Sequence, residues 1–349
     1  MFKKIFYLTI FSLTLLVGCN NQSSKKEAAE TEAKEVNVYT HRHYEADQQL
    51  FKAFTEQTGI KVNVVNASAD ELIQKLELEG DKSPADILIT VDAGRLHRAK
   101  QKGLLKSVNS DKLNANIPSK FRDPEGHWYG MTYRARVIAY AKDRVDASAL
   151  STYEDLTNEK WKGKILIRSS SNIYNQSLLA SIIAAQNEDG AKDWASGLVA
   201  NMARDPKGND RDQVKAVAAG EGDIAIVNTY YIGKLLNSDN EEEVKAGEAI
   251  NIFFPNQDDR GAHINVSGAA VTKYSPNEEN AIKFLEFLSD TEAQSVFAEA
   301  NFEYPVKEGI EVDSLLQSWG TFKSDEINLS VLGENNSKAV IIFDEVGWK

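Results

Sequence analysis

The chain has 349 residues, with 40 Lys and Arg against 52 Asp and Glu and a formal charge of −12 at pH 7. Binding to nucleic acid requires clustered basic side chains that meet phosphates, so this balance argues against such a partner, although it suits a cationic ligand or simple solubility. A single cysteine excludes an internal disulfide framework, and an apolar core must hold the fold.

In chain order, residues 1–4 carry two lysines, residues 5–17 form an apolar run, and Leu16-Val17-Gly18-Cys19 follows. A basic start, a short apolar run and small residues before a cut make residues 1–18 a secretory signal, too short to span a bilayer. Leu-Val-Gly-Cys resembles a bacterial lipobox, which implies that Cys19 is lipidated and becomes the mature N-terminus. Cleavage there leaves 331 residues, room for two domains, and removes Lys3 and Lys4, so that 38 basic residues face 52 acidic ones. Residues 20–35, NNQSSKKEAAETEAKE, hold no apolar side chain larger than alanine. With Cys19 they read as a lipidated, flexible tether over residues 19–35.

From Val36 onward, strand and helix patterns alternate. Strands are predicted over residues 36–39, 61–65 and 86–90. A helix begins at Asp47, with Leu50, Phe51 and Phe54 on one face and Gly59 as its stop, and others cover residues 69–79 and 93–102. A second series follows: a strand over 164–167, helices over 177–185, 192–202 and 212–219, and a strand over 223–227. A strand over 265–271 and helices over 278–289 and 292–300 come last. Such alternation implies a mostly parallel sheet covered on both faces, here in two α/β lobes. The chain is expected to cross between them near residues 132–136 and again near 266–270. The first lobe would then comprise residues 36–133 and 267–305, and the second residues 134–266 and 306–349.

The motifs point to no enzyme. There is no Gly-x-x-x-x-Gly-Lys-Ser/Thr loop, Gly-x-Gly-x-x-Gly, Gly-x-Ser-x-Gly elbow or His-Glu-x-x-His. Histidines occur at 41, 43, 97, 127 and 263, and His41 and His43 alternate across Arg42 without the carboxylate spacing of a zinc site. The tyrosines say more. Tyr44 follows the first strand, Tyr174 follows the strand over 164–167, and Tyr230 and Tyr231 follow the strand over 223–227. Ligands of open α/β sheets bind beyond the carboxyl ends of strands. Adjacent tyrosines would aim both hydroxyls at one point where the backbone is irregular, because along a regular helix neighbouring side chains diverge. Taken singly, each is an ordinary amphipathic residue at the edge of a core, and a pair can also stack on a sugar or an amine cation. Four of them, spread over both lobes, indicate a two-lobed binder whose ligand these residues leave open.

Several segments, in order, carry a more specific resemblance: Arg42-His43-Tyr44, Ser83-Pro84-Ala85-Asp86, Thr90-Val91-Asp92-Ala93-Gly94, Arg134-Ala135-Arg136, residues 169–174 and Asn228-Thr229-Tyr230-Tyr231. From about residue 36 to about residue 306 the chain resembles the tyrosine-rich branch of the ferric-iron-binding proteins of bacterial ABC importers. The resemblance implies an α/β, two-lobed type II periplasmic-binding-protein fold with hinge crossovers and a cleft that closes over Fe³⁺. It implies metal ligation by Tyr44, Tyr174, Tyr230 and Tyr231, with His43 beside them as a further ligand or close neighbour. Hard phenolate oxygens suit a hard, highly charged cation that drives off their protons. Other branches place a carboxylate near the first lobe's metal edge and capture an exogenous anion, but here Asp92 opens the helix at Ala93 and is expected to cap it. Arg134 and Arg136, at the first crossover, are implied either to keep phenolates ionised or to bridge the lobes. The implied partners are an importer permease and, through the lipid, a cell-envelope membrane, with no nucleic acid and a monomeric chain. Two other readings compete: a polyamine, thiamine or sugar binder stacked on the tyrosines, and an exported transferase or hydrolase needing a nucleophile beside a base.

Overall fold

In the computed structural model, residues 34–42 and 44–349 are described; the signal segment, Cys19, the tether through residue 33 and His43 lie outside the described residues. Alternation sets the first strand, β1 (Glu35–Thr40), which buries Val36 and Val38. In α1 (Glu45–Thr58), Leu50, Phe51 and Phe54 face inward, and Gly59 ends the helix at a φ of 71°, where a glycine carries no Cβ penalty. After β2 (Lys61–Asn66) comes α2 (Ala69–Glu79), opened by a capping box between Ser68 and Glu71. The first series ends with β3 (Ile87–Val91), α3 (Ala93–Gln101) and α4 (Asp111–Asn116).

The long strand β4 (Tyr129–Ala141) leads to β5 (Ile165–Leu166), α5 (Ile173–Asn201), α6 (Asp210–Ala218), β6 (Ile224–Asn228), α7 (Thr229–Leu236), α8 (Glu241–Glu248) and β7 (Ile250–Phe253). The chain returns through β8 (Ile264–Val271), α9 (Glu278–Leu288), α10 (Thr291–Ala300) and β9 (Tyr304–Pro305), and continues with α11 (Ser314–Ser318), α12 (Ser330–Glu334) and α13 (Asn336–Glu345). The two helices expected over 177–185 and 192–202 are one run, α5, broken at Asn187, whose φ is 64°. That run starts early enough to include Tyr174.

The expectation of a mostly parallel sheet is overturned. Strand order is β2-β1-β3-β8-β4-β6-β5, with β7 and β9 also on β4. Among the named strands of the described residues, parallel pairing is confined to β1 with β2 and β3, and to β5 with β6. Around β4 and β8 every pairing is antiparallel. The reason is geometric: a strand that carries the chain from one side of the sheet to the other, and a strand that brings it back, must run in opposite directions.

The long strand β4 changes partners partway along its length. β4 pairs with β8 through Ala135 and with β6 from Arg136 onward. Tyr153, fully buried, fastens this point. Its hydroxyl donates to the Arg136 carbonyl and accepts the His263 backbone N–H at 3.1 Å, so one side chain holds both crossing segments. Tyr153→Phe keeps the ring and leaves two buried backbone groups without that partner. It should cost about 1–3 kcal/mol of unfolding free energy. Chemical denaturation measures this, and an unchanged midpoint would show that the hydroxyl fastens nothing.

Candidate metal centre

The turn after β1 is held from below by charge. Arg42, 3% exposed, donates to Asp47 from Nε (3.1 Å) and Nη2 (3.0 Å) and to Glu303 from Nη1 (3.1 Å). Its backbone is fixed as well, because Asn66 Nδ2 donates to the Arg42 carbonyl at 2.7 Å. Glu303, 2% exposed, also accepts from Asn301 Nδ2 (2.8 Å), Ser267 Oγ (2.9 Å) and Thr132 Oγ1 (3.0 Å). Burial alone would raise its pKa, yet Arg42, Arg134 and these donors hold it down to about 2. Tyr44 stands directly on this base as the residue before α1, with the Arg42 guanidinium carbon 4.9 Å from its ring centroid. Burial, reinforced by Glu303, pushes its phenol up to about 12.

The other tyrosines come from two helix starts. Asn172 caps α5 by accepting the Tyr174 N–H at 3.0 Å. Tyr230 and Tyr231 lie in the first turn of α7, so the irregular backbone expected at that junction is not found. The rings instead turn side by side, with centroids 4.1 Å apart and planes 30° from parallel. The Tyr174 and Tyr230 hydroxyls are 3.3 Å apart. Burial raises the Tyr230 phenol well above its usual range, and the nearby Tyr174, Tyr231 and Tyr44 add to the effect. Burial raises Tyr231 too. All four tyrosines named from the sequence therefore converge, three from the β5–β6 side and Tyr44 from the β1 side. His43 lies outside the described residues.

Cations line this cluster. The Lys234 ammonium, one turn beyond Tyr230 and Tyr231 on α7, is 3.8 Å from the Tyr44 ring centroid and 5.3 Å from that of Tyr230. Burial lowers its pKa to about 8. The guanidinium carbons of Arg134 and Arg168 stand 5.4 Å and 5.5 Å from the Tyr174 ring centroid. Arg136 lies behind the tyrosines, paired with Asp210 at 3.1 Å. Asp92 caps α3 as expected, accepting the Gly94 N–H at 2.9 Å, from a φ of 84° that is strained for a residue with a Cβ. Its oxygens also take the Ser177 hydroxyl (2.6 Å) and the Asn265 amide (2.8 Å). Every carboxylate named here is already engaged, which leaves the phenols as the convergent donors.

The sequence reading missed Lys234, Arg168, Asp210 and Glu303. Lys234 alone carried a local signal, its helical spacing from the tyrosine pair. The arrangement also decides against stacking. Arg42 and Lys234 lie over Tyr44, Arg134 and Arg168 lie over Tyr174, and Tyr230 and Tyr231 lie against each other. A sugar or amine would find these faces taken, whereas a hard cation needs only the oxygens.

Comparison with known proteins gives the context. Residues 82–324 match the family described as bacterial extracellular solute-binding protein. The iron uptake protein A1 of Synechocystis is 46% identical over 345 residues, 98% of this chain and 96% of that relative. The major ferric iron-binding protein of Neisseria meningitidis is 27% identical over 327 residues, 92% of this chain and 96% of that relative. Among solved structures, a Trichodesmium protein in complex with iron and citrate superposes with a TM-score of 0.89 at 51% identity, covering 90% of this chain and 100% of that one. The ferric binding protein of Campylobacter jejuni superposes at 0.85 with 48% identity, covering 90% of this chain and 100% of that one.

Glu303 makes stability depend on pH in a defined window. Its folded pKa of about 2 lies below its ordinary value of 4.5, so its contribution is complete above about pH 4.5 and is lost as pH falls toward 2. Glu303→Gln should therefore be less stable than the native chain at neutral pH, with the difference shrinking as pH falls through that window. Urea midpoints of both proteins at a series of pH values test this. A difference that stays constant would mean that Glu303 is not the group being protonated.

Proposed function

The chain belongs to the bacterial extracellular solute-binding proteins, and from that premise we propose that it captures ferric iron between two lobes and delivers it to the permease of an ABC importer. The observation that carries the reading is the convergence of four phenol groups from both sides of the sheet. On this reading Tyr44, Tyr174, Tyr230 and Tyr231 bind Fe³⁺ as phenolates, with His43 as a further ligand or close neighbour. The lobes are residues 36–133 with 267–305, and residues 134–266 with 306–349. The names of the iron uptake and ferric iron-binding relatives support the same cargo.

Charge supports the ferric over the ferrous ion. The cations Arg42, Arg134, Arg136, Arg168 and Lys234 outnumber the carboxylates Asp47, Asp92, Asp210 and Glu303 by one. Four phenolates around Fe³⁺ leave one negative charge, which that excess balances, whereas Fe²⁺ would leave the site one charge short. Because burial keeps the Tyr44, Tyr230 and Tyr231 phenols protonated in the metal-free protein, iron uptake must expel protons, and acid favours release.

Tyrosine-to-phenylalanine substitutions remove one oxygen each at almost constant volume. Tyr230→Phe and Tyr231→Phe should weaken Fe³⁺ binding by several orders of magnitude and shift or bleach the visible phenolate-to-iron band, with little change in folding. Tyr44→Phe should still take up iron, more weakly, and without the compaction that small-angle scattering detects in the native chain. Native colour and affinity in both Tyr230→Phe and Tyr231→Phe would sink the assignment.

Among the described residues no helix is long and apolar enough to cross a membrane. We place the protein at the cell envelope as an exported, monomeric lipoprotein held by the lipid on Cys19. Cys19→Ala should accumulate as an unlipidated precursor, and a chain beginning near Glu35 should be soluble and still bind iron. Failure of labelled lipid to incorporate into the native chain would refute the anchor.

A further inference from the structure

Asp210 is buried to 0% exposure at the first position of α6, where the helix start is already capped by Asn209. Its carboxylate is therefore free to face away from its own helix, and it gathers donors from three other segments. Oδ2 accepts the Asn228 backbone N–H at 2.9 Å and Arg136 Nη1 at 3.1 Å, and Oδ1 accepts Arg168 Nη1 at 3.3 Å.

Each contact leads to a tyrosine. Asn228 is the residue immediately before α7, so its hydrogen bond fixes the start of the turn that carries Tyr230 and Tyr231. Arg136 continues to Asn175, beside Tyr174, through Nη2 at 2.6 Å, and Asn175 in turn donates to the Arg168 carbonyl at 2.6 Å. Arg168 lies over the Tyr174 ring and is near enough to Tyr231 for its charge to act on that phenol. Both helix starts that aim phenols into the site are thus referred to one carboxylate.

We propose that Asp210 is the positioning residue that sets the mutual spacing of the Tyr174, Tyr230 and Tyr231 hydroxyls; the inference rests on the ferric reading for the metal those hydroxyls bind. The charge of Asp210 opposes ionisation of Tyr231, while Arg168 favours it. Its benefit to the site is geometric: it supplies the counter-charge that lets two guanidinium groups stay buried and fixed.

The test is Asp210→Asn, which keeps the shape and removes the charge. Loss of a partner that orients metal ligands typically costs about 10- to 100-fold in affinity. The variant should lose Fe³⁺ affinity to that extent in competition with citrate and show a displaced visible band. In crystals of the metal-free variant the Tyr174 and Tyr230 hydroxyls should separate beyond their native 3.3 Å. A folded variant with lower thermal stability but native band, affinity and hydroxyl spacing would overturn the proposal, since a merely structural ion pair predicts that pattern. If Asp210→Asn does not fold, Asn175→Ala cuts the link from Arg136 to the Tyr174 turn and leaves the Asp210 pairs intact. Its band and affinity are read in the same way, native values overturning the proposal and displaced ones supporting it. Failure of the native protein to take up Fe³⁺ would refute the ferric reading, and Asp210 would then be judged on the metal-free hydroxyl spacing alone.

Discussion

A phenol taken out of water keeps its proton, and this constraint shapes everything around the four tyrosines. Burial is the first cause of the raised pKa at Tyr44, Tyr230 and Tyr231, and at Tyr230 the charges of the neighbouring phenols add to it. The surrounding Arg134, Arg168 and Lys234 do not reverse this in the metal-free state. Only a concentrated charge held directly by the oxygens can offset these costs together.

Holding the cations close enough to help, without allowing them to occupy the oxygens, requires buried counter-charge on both sides. Glu303 and Asp210 supply it. Glu303 ties the turn below Tyr44 to Thr132 on β4, Ser267 on β8 and Asn301 after α10. Asp210 ties β4 to the starts of α5 and α7. Strand geometry links the two. Side chains two residues apart on a strand share a face, so Thr132, Arg134 and Arg136 project in one row from β4. Thr132 reaches Glu303, Arg134 reaches the Tyr174 ring, and Arg136 reaches Asp210. One strand thereby carries a partner of each anchor and the cation between them.

What the sequence made legible was local. The helix over 69–79 could be read to the residue because its apolar period and its capping box both lie within one segment. The tyrosines could be read because strand ends are visible as the end of an alternation. Strand direction has no such signature, and the mixed sheet was therefore misread as parallel. The two anchors were invisible for a related reason. Arg42 meets Glu303 across 261 positions, and Arg136 meets Asp210 across 74. No periodicity extends that far, and a buried carboxylate in one chain resembles any other acidic residue. Tyr230 and Tyr231 were singled out for a partly mistaken reason, since their rings come together from a helical turn rather than from a backbone irregularity.

The unequal division of the tyrosines between the anchors has a mechanical consequence on the ferric reading. Tyr174, Tyr230 and Tyr231 share the Asp210 anchor, so on this reading they form a partial site on one side. A ferric ion bound there keeps unfilled coordination positions. Tyr44, on the Glu303 anchor, is the hard oxygen available to fill one of them, and it can do so only when the two sides approach. A ligand shifts a conformational equilibrium solely through its different affinity for the two states. The Tyr44 oxygen contributes directly to that difference, while the three shared phenols set how tightly the metal is held before closure. Arg42 stiffens Tyr44 from beneath through bonds to Asp47 and Glu303, so little ordering is left to be done on closure. On that reading capture and closure are assigned to separate anchors.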